Sequence, residues 1–409
     1  MFRLEHYCCR MDLELFQDSS SGDLVPISGS SSSGLPWQHA AFVPRPLGSE
    51  QPELCARAYR SVAEARAALA ALDVTARQLP NPRLFRQQSL RVEAQATAAL
   101  EGTYEPLAKV MAAQVTDDHS PSMREVLNFL DVADLAFGAT EVGQSLTPSL
   151  LAQMQGLLMA GTPGEGQYSG RVRPIQVVVG QRQEIRGDLP PVQRARYVPP
   201  PPGVDLEARL ADLLSWMDTD HGVEIDPVVA TAMAHYQFES LHPFHDGNGR
   251  LGRLLIVVHL TRCGVISEPT LTVSPWFESR RSAYYDALLG VSTTADWSTW
   301  VSFFAEGIAA SARQTLTRMN DLSAAMADLK DQVRSSGIRT ANALHLIDLA
   351  VDRVLFTTPQ AAAALGMRPQ GAAKLIASLQ DIGLLDTLDD RPYNRIFHAP
   401  AVTQIVLGR

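Results

Sequence analysis

Between His242 and Arg253 the chain reads His-Pro-Phe-His-Asp-Gly-Asn-Gly-Arg-Leu-Gly-Arg, its densest gathering of groups that could do chemistry. A helix arriving at His242 has to stop at Pro243, and Gly247 to Gly249 make a loop before the next helix starts. Glycines leave backbone N–H groups accessible there, and the new helix aims its positive end at the same spot. That combination predicts an anion-binding cradle. Arg250 and Arg253, three apart on the first turn, face one side and suit phosphate oxygens. Asp246 is placed to hold a divalent cation, and His242 beside it is a general base. Together these groups describe nucleotide phosphate chemistry. A rival reading is hydrolysis at a metal held by His242, His245 and Asp246; it leaves the glycine loop and both arginines without a task.

The elements that must position this stretch are mostly helices. Asp226-Pro227 predicts a helix start with Asp as cap and Pro at the first position, and Val229, Met233 and Tyr236 recur at helical spacing. Helical patterns continue to about Leu329, with turns near Gly264 and Thr293. Upstream, Glu53 to Leu79 reads as a helix stopped by a Pro-Asn-Pro break at Pro80 to Pro82, and a second runs from about Phe85 to Ala113. Thr116 to Val126 supplies another helix start. The Gly- and Pro-dense segment Gly161 to Pro202 holds one strand run, Ile175 to Val179 closed by Gly180, which fits one arm of a hairpin. Pro199 to Pro202 is an extended spacer before a helix near Asp205. Residues 1 to 50, with the Ser-rich run from Ser30 to Gly34, read as a disordered leader.

The last seventy residues read as a separate small domain. Helices at Thr358 to Leu365 and Pro369 to Ile382 flank a turn at Gly366-Met367. Strands near Leu384-Leu385 and Ile396-Phe397 follow, joined by the turn Asp389 to Asn394. That is the winged-helix order. The fold class expected is mainly α with small β excursions, in segments 1–50, 51–135, 136–330 and 340–409.

Composition narrows the function. The chain has 409 residues, 45% hydrophobic and 19% charged, with a formal charge of −9, so no global basic field exists to hold nucleic acid. Its four cysteines, Cys8, Cys9, Cys55 and Cys263, make neither a disulfide framework nor a zinc site, which suits a reducing cytoplasm. No apolar stretch is long enough to span a membrane, and the first twenty residues lack a signal-peptide core.

HPFHDGNGRLGR matches the Fic-domain signature HPF-x-D-G-N-G-R-x-x-R at every specified position, so the chain resembles that family from about residue 80 to 320. The resemblance implies a protein adenylyltransferase, a nucleotidyltransferase that moves AMP from ATP, with magnesium, onto a Ser, Thr or Tyr hydroxyl of a target protein or of itself. It implies that His242 deprotonates the hydroxyl and Asp246 positions Mg²⁺. The nucleotide would lie along Gly247, Asn248, Gly249, Arg250, Leu251, Gly252 and Arg253. Gly247 to Gly249 would form the anion hole, Arg250 would contact the phosphates and Arg253 would hold the γ-phosphate. By the same resemblance Val177, Val178, Val179 and Gly180 belong to a flap that holds the target by strand addition and shields the nucleotide. Tyr284 and Tyr285 would pack the base and ribose.

Thr97-Ala-Ala-Leu-Glu101-Gly102 resembles the family's inhibitory motif. Thr97 and Glu101 are four apart, hence on one helical face, and Gly102 loosens the backbone behind them. Glu101 would inhibit by occupying Arg253, within one molecule or across a homodimer. Two other activities remain open: removal of AMP by the same site, and DNA binding through the C-terminal segment. Between Thr340 and Arg409 six basic residues face six acidic ones, and that neutrality disfavours a phosphate backbone as partner.

Overall fold

The computed structural model describes residues 11, 13–30, 36–79, 81, 83–116, 120–180, 190–388 and 395–407. Cys8, Cys9, most of the Ser-rich run, the two prolines of the Pro-Asn-Pro break and the turn Asp389 to Asn394 lie outside the described residues, as do positions 117–119 of the Thr116 helix start.

The chain opens with a short helix α1 (Glu14–Gln17) and two strands, β1 (Gly22–Ser30) and β2 (Pro36–Pro44). Helices α2 (Ala56–Gln78), α3 (Arg83–Leu100), α4 (Leu107–Thr116), α5 (Pro121–Glu141) and α6 (Pro148–Met159) follow. After the loop come α7 (Pro191–Arg194), α8 (Val204–Met217), α9 (Pro227–Leu241) and α10 (Asn248–Arg262). Then come α11 (Ser274–Glu278), α12 (Arg281–Thr294) and the long α13 (Trp297–Ser335). The chain finishes with α14 (Ala341–Arg353), β3 (Leu355–Thr357), α15 (Thr358–Ala364), α16 (Pro369–Asp381), β4 (Asp386–Thr387), β5 (Ile396–His398) and α17 (Pro400–Leu407). The fold is mainly α, as its patterning indicates.

Two compact units are each assembled from separated stretches. The first takes residues 1–66, 134–265 and 279–308; the second takes 67–133, 266–278 and 309–409. The centre of the first is α9 packed on α10, with α8 and β2 also against α9. Asp226 caps α9, its Oδ1 accepting from the Val228 amide at 2.8 Å, and Pro227 takes the first turn. Both helices are buried nearly all round, which fits a core pair rather than an amphipathic surface helix.

The leader reading is corrected. β1 and β2 form a regular antiparallel hairpin pairing Gly22 with Pro44 through Ser30 with Pro36. Phe42 and Ala41 are buried against Phe16, Tyr197 and Val198, and the Phe42 amide donates to the Val198 carbonyl at 2.9 Å. The serine- and glycine-rich composition hid an ordered segment whose apolar partners Tyr197 and Val198 lie over 150 residues away in sequence.

In the second unit α14 packs on α3, and β3 packs on α4. The segment from 340 onward therefore shares one unit with the upstream helices instead of standing alone. Its sheet has the order β3-β5-β4, all antiparallel; β3 had no counterpart in the sequence reading. Arg91 on α3 is buried, and burial pushes its guanidinium down to about 10, opposed by the charge of Asp352 on α14. On the other side of α3, the Glu93 carboxylate accepts from the amides of Val273 (2.8 Å) and Ser274 (3.0 Å), capping α11. Ending the chain after Thr340 would bare the faces of α3 and α4 to water. The melting temperature should then fall by roughly 5–10 °C, as a loss of a few kcal/mol does in a domain of this size. Circular dichroism melts of the full and shortened chains check this; equal midpoints would contradict it.

Candidate active site

Helix α9 ends where Pro243 cannot continue it, and the residue before a proline is kept out of the right-handed helical region. His242 takes the left-handed conformation (φ 47°, ψ 59°), with its amide donating to the Phe238 carbonyl at 3.0 Å. For a residue with a Cβ that conformation costs about 1–2 kcal/mol and needs support from its surroundings. Arg173 supplies it. Its Nε donates to the His242 carbonyl at 2.8 Å, and its backbone amide donates to the Pro243 carbonyl at 2.9 Å. The same guanidinium reaches the carbonyls of Ile175 (Nη1, 3.0 Å), Pro200 (Nη2, 2.6 Å) and Leu241 (Nη2, 3.5 Å). Arg173 is 1% exposed, and burial lowers its pKa to about 10, so it stays charged near neutrality.

The His242 ring is oriented from behind, its Nδ1 lying 3.3 Å from the Glu239 carbonyl oxygen. A carbonyl only accepts, so Nδ1 carries the proton and the lone pair of the neutral ring falls on Nε2. That is the tautomer a general base requires.

The loop after Pro243 is closed by Asn248, whose Oδ1 accepts from the Phe244 amide and whose Nδ2 donates to the Phe244 carbonyl, both at 2.9 Å. Its side chain is thus a clamp on the loop, and only its backbone N–H is offered toward the cradle. Gly247 sits at φ 82°; a Cβ there would come within 3.0 Å of Leu158 and 3.2 Å of Met159, so glycine answers to both conformation and space. Asp246 Oδ1 accepts from the Gly247 amide at 2.5 Å and lies 3.4 Å from Arg250 Nη2. Gln155 holds the loop from α6, its Nε2 donating to the Asp246 carbonyl at 3.1 Å while its Oε1 accepts from the Gly170 amide at 2.6 Å. Arg250 and Arg253 are both buried. The first amides of α10 have no carbonyl behind them within the helix, so the cradle read from the glycines has its physical basis.

A single carboxylate of this kind fits magnesium, which is commonly bound by one or two carboxylates plus substrate phosphates. Asp246 is half exposed, and the loop above it passes so close that a Cβ on Gly164 would stand 2.6 Å from Asp246 Oδ2. The rival hydrolytic metal centre is not assembled. Among the described residues no three His, Cys, Asp or Glu side chains are placed to share a metal, and His245 instead stacks on Tyr168 with ring centroids 6.0 Å apart.

Other expected site residues are buried to different degrees. Leu251 is in the core, and Gly252 serves helix packing: a Cβ there would strike Glu239 Oε1 at 2.2 Å. Tyr284 is 1% exposed, with its hydroxyl 2.7 Å from His235 Nε2 and its ring among Trp300 and Tyr285, so it is a core residue and offers no face to a base. Tyr285 is half-buried, beside Arg281. Val177, Val178 and Val179 are half-buried, and the exposed Gly180 has φ 70°. Among the described residues the expected hairpin arm is reduced to one bridge, Val179 with Tyr197. Opposite it run Pro199 to Pro202, which have no N–H to donate; Gln176 fills the gap, its Nε2 donating to the carbonyls of Val177 (3.0 Å) and Pro199 (2.9 Å). In the second unit α3 stops at Leu100, so Thr97 is fully buried while Glu101 is exposed in the terminating turn, where Gly102 has φ 100°.

Arg173, Gln155 and Gly164 were not singled out from the sequence. Only Arg173 left a trace there, as an arginine in a Gly- and Pro-rich loop with no acid near it in sequence.

A histidine at the end of α9 is thus followed, one short loop later, by the first amides of α10. Residues 145–260 match the Fic/DOC family and residues 59–138 match the Fic/DOC family N-terminal region. It is similar to protein adenylyltransferase fic-1 of Caenorhabditis elegans, 31% identical over 153 residues, 37% of this chain and 25% of that protein. It is also similar to protein adenylyltransferase Fic of Aedes aegypti, 37% identical over 110 residues, 27% of this chain and 20% of that protein. The matches thus span about a quarter or less of these relatives' lengths. A Fic family protein from Desulfovibrio desulfuricans G20 shares the fold, with a TM-score of 0.53 at 22% identity over 86% of this chain and 98% of that one.

Two histidines behind the site are kept neutral. Burial, then the nearby Arg253 charge, depresses His235 to about 3, and burial depresses His259 to about 4. In the unfolded chain both titrate near 6.5. Their neutral state therefore supports folding fully above pH 6.5, and that support is lost as pH falls toward 4. At pH 5 each should have cost about 2 kcal/mol relative to pH 7 by linkage. Denaturant melts at the two pH values measure this, and His235→Asn should remove about half of the dependence, leaving the share of His259.

Proposed function

We propose that this protein is a protein adenylyltransferase working at the His242 to Arg253 loop. The observation that carries the reading is the Nδ1 contact of His242 with the Glu239 carbonyl, which supports a base lone pair on Nε2 one short loop ahead of the first amides of α10. The names of the relatives that share this stretch support the same class.

In this reading Nε2 of His242 takes the proton of a Ser, Thr or Tyr hydroxyl on a target protein. The hydroxyl oxygen bonds to the α-phosphorus of ATP, the bond from that phosphorus to the bridging oxygen breaks, and pyrophosphate leaves. Amides of Gly247, Asn248 and Gly249 receive phosphate oxygens, while Arg250 and Arg253 offset the charge of the chain. Magnesium held by Asp246 would add further neutralisation. Residues 176–180 form the flap against which a target segment lies. Glu101 is the inhibitory carboxylate. In the second unit, the order α15, α16, β4, β5 supports a winged-helix reading of the C-terminal segment, and its neutrality favours protein partners over DNA. No helix among the described residues is long and apolar enough to cross a membrane.

Incubation with ATP labelled at the α-phosphate, and separately at the γ-phosphate, tests the class. Protein should gain label only from the α position; γ-label alone would make it a kinase-like activity. His242→Ala should lower the rate by ~10²–10⁴-fold while ATP affinity, read by calorimetry, stays within a few-fold. Parental rates in that variant would remove His242 from the base role.

Glu101→Gly should raise self-modification on the order of 10²-fold, the scale by which a misplaced triphosphate slows in-line transfer. Label incorporation at equal protein and ATP reads this directly, and an unchanged or lower rate would leave Glu101 as an ordinary surface residue.

A further inference from the structure

We propose that Arg173 is a positioning residue that sets the catalytic base and the flap in a common register, an inference resting on the adenylyltransferase reading of the loop. A single guanidinium joins four carbonyls from three places. Leu241 and His242 belong to the end of α9, Ile175 opens the flap, and Pro200 lies in the proline run behind it. The Arg173 amide adds Pro243, so the carbonyl of the His242–Pro243 peptide and that of the next peptide are held by the same residue.

Among the described residues Arg173 forms no ion pair, although it is nearly fully buried. A buried cation held only by carbonyl dipoles is a poor source of stability, and an apolar side chain of similar volume often serves a core as well or better. What the guanidinium offers instead is a rigid fork whose donors diverge at fixed angles. The carbonyls at the end of α9 form the negative end of that helix, which partly offsets the burial of the charge. Because His242 sits in a conformation that its own backbone disfavours, its ring direction depends on this outside hold. The nucleotide cradle has separate supports in Asn248 and Gln155. Loss of Arg173 should therefore move the base without unmaking the phosphate site.

The test uses the full chain, self-modification from α-labelled ATP, calorimetric ATP affinity and ¹⁵N-histidine spectra. Arg173→Lys keeps the charge but not the fork. It should fold, bind ATP within about twofold of the parent, and show a turnover about 10²-fold lower, the size expected for a base displaced by roughly an ångström. The His242 ring should change from the Nδ1-protonated form to a mixture of tautomers. Arg173→Ala should regain rate with added ethylguanidinium but not with ethylammonium, because one ammonium cannot serve diverging carbonyls. A folded Arg173→Lys with parental turnover, or a rate loss that only tracks the unfolded fraction, would overturn the proposal. Should the parent itself transfer no AMP, the activity reading fails on its own. The tautomer comparison then decides the positioning claim, and identical spectra in parent and Arg173→Lys reject it.

Discussion

An α-helix that stops inside a protein leaves its last carbonyls without amides, and in this molecule the destination of those carbonyls organises the site. Pro243 ends α9, and Phe238 is answered by the His242 amide, Glu239 by the His242 ring, Ser240 by the Tyr197 hydroxyl and Leu241 by Arg173. Two of these four partnerships belong to the histidine itself. The direction of its ring thus follows from finishing a helix correctly, and the tautomer follows from the direction. Tyr197 carries the arrangement outward, since it also pairs with Val179 and packs on Phe42.

The electrostatic setting is consistent with a site built for polyanions. Arg173, Arg250 and Arg253 are all buried near the α9–α10 junction, and the imidazole closest behind them, His235, is held neutral. Its Nδ1–H donates to the Gly252 carbonyl and its Nε2 accepts from Tyr284. A second protonated ring there would add to an already positive centre.

Local signals in the sequence were faithful where the physics is local. The Asp226-Pro227 start, the Pro243 stop and the Gly247 entry to α10 are decided by a few neighbouring residues, and each was legible. The glycine cluster with its arginines was legible for the same reason, although the loop read over Gly247 to Gly249 is shorter: α10 already starts at Asn248, and only Gly247 precedes it. Features set by distant partners were not. Phe42 orders an otherwise nondescript Ser- and Gly-rich start because Tyr197 and Val198 wait for it, and Tyr284 turns inward to serve His235. The flap run has strand-forming residues, yet the prolines opposite cannot complete a ladder, and composition alone gives no sign of that pairing. Arg173 was hidden because its importance lies in four carbonyls, which every residue possesses.

Synthesis order adds a constraint of its own. The carboxylate of Glu93 is made early, but the Ser274 amide it caps follows 181 residues later, and α14 reaches α3 later still. Such distant pairings close slowly, since the intervening chain must be restrained first. Residues 67–133 therefore leave the ribosome without the partners that complete their unit, while α9, its loop and α10 emerge as neighbours. The helix pair bearing the histidine and the amide nest is assembled from adjacent sequence, and the unit that carries Glu101 is finished only when the C-terminal segment arrives. During that interval the apolar faces of α3 and α4 are without the elements that bury them in the finished unit.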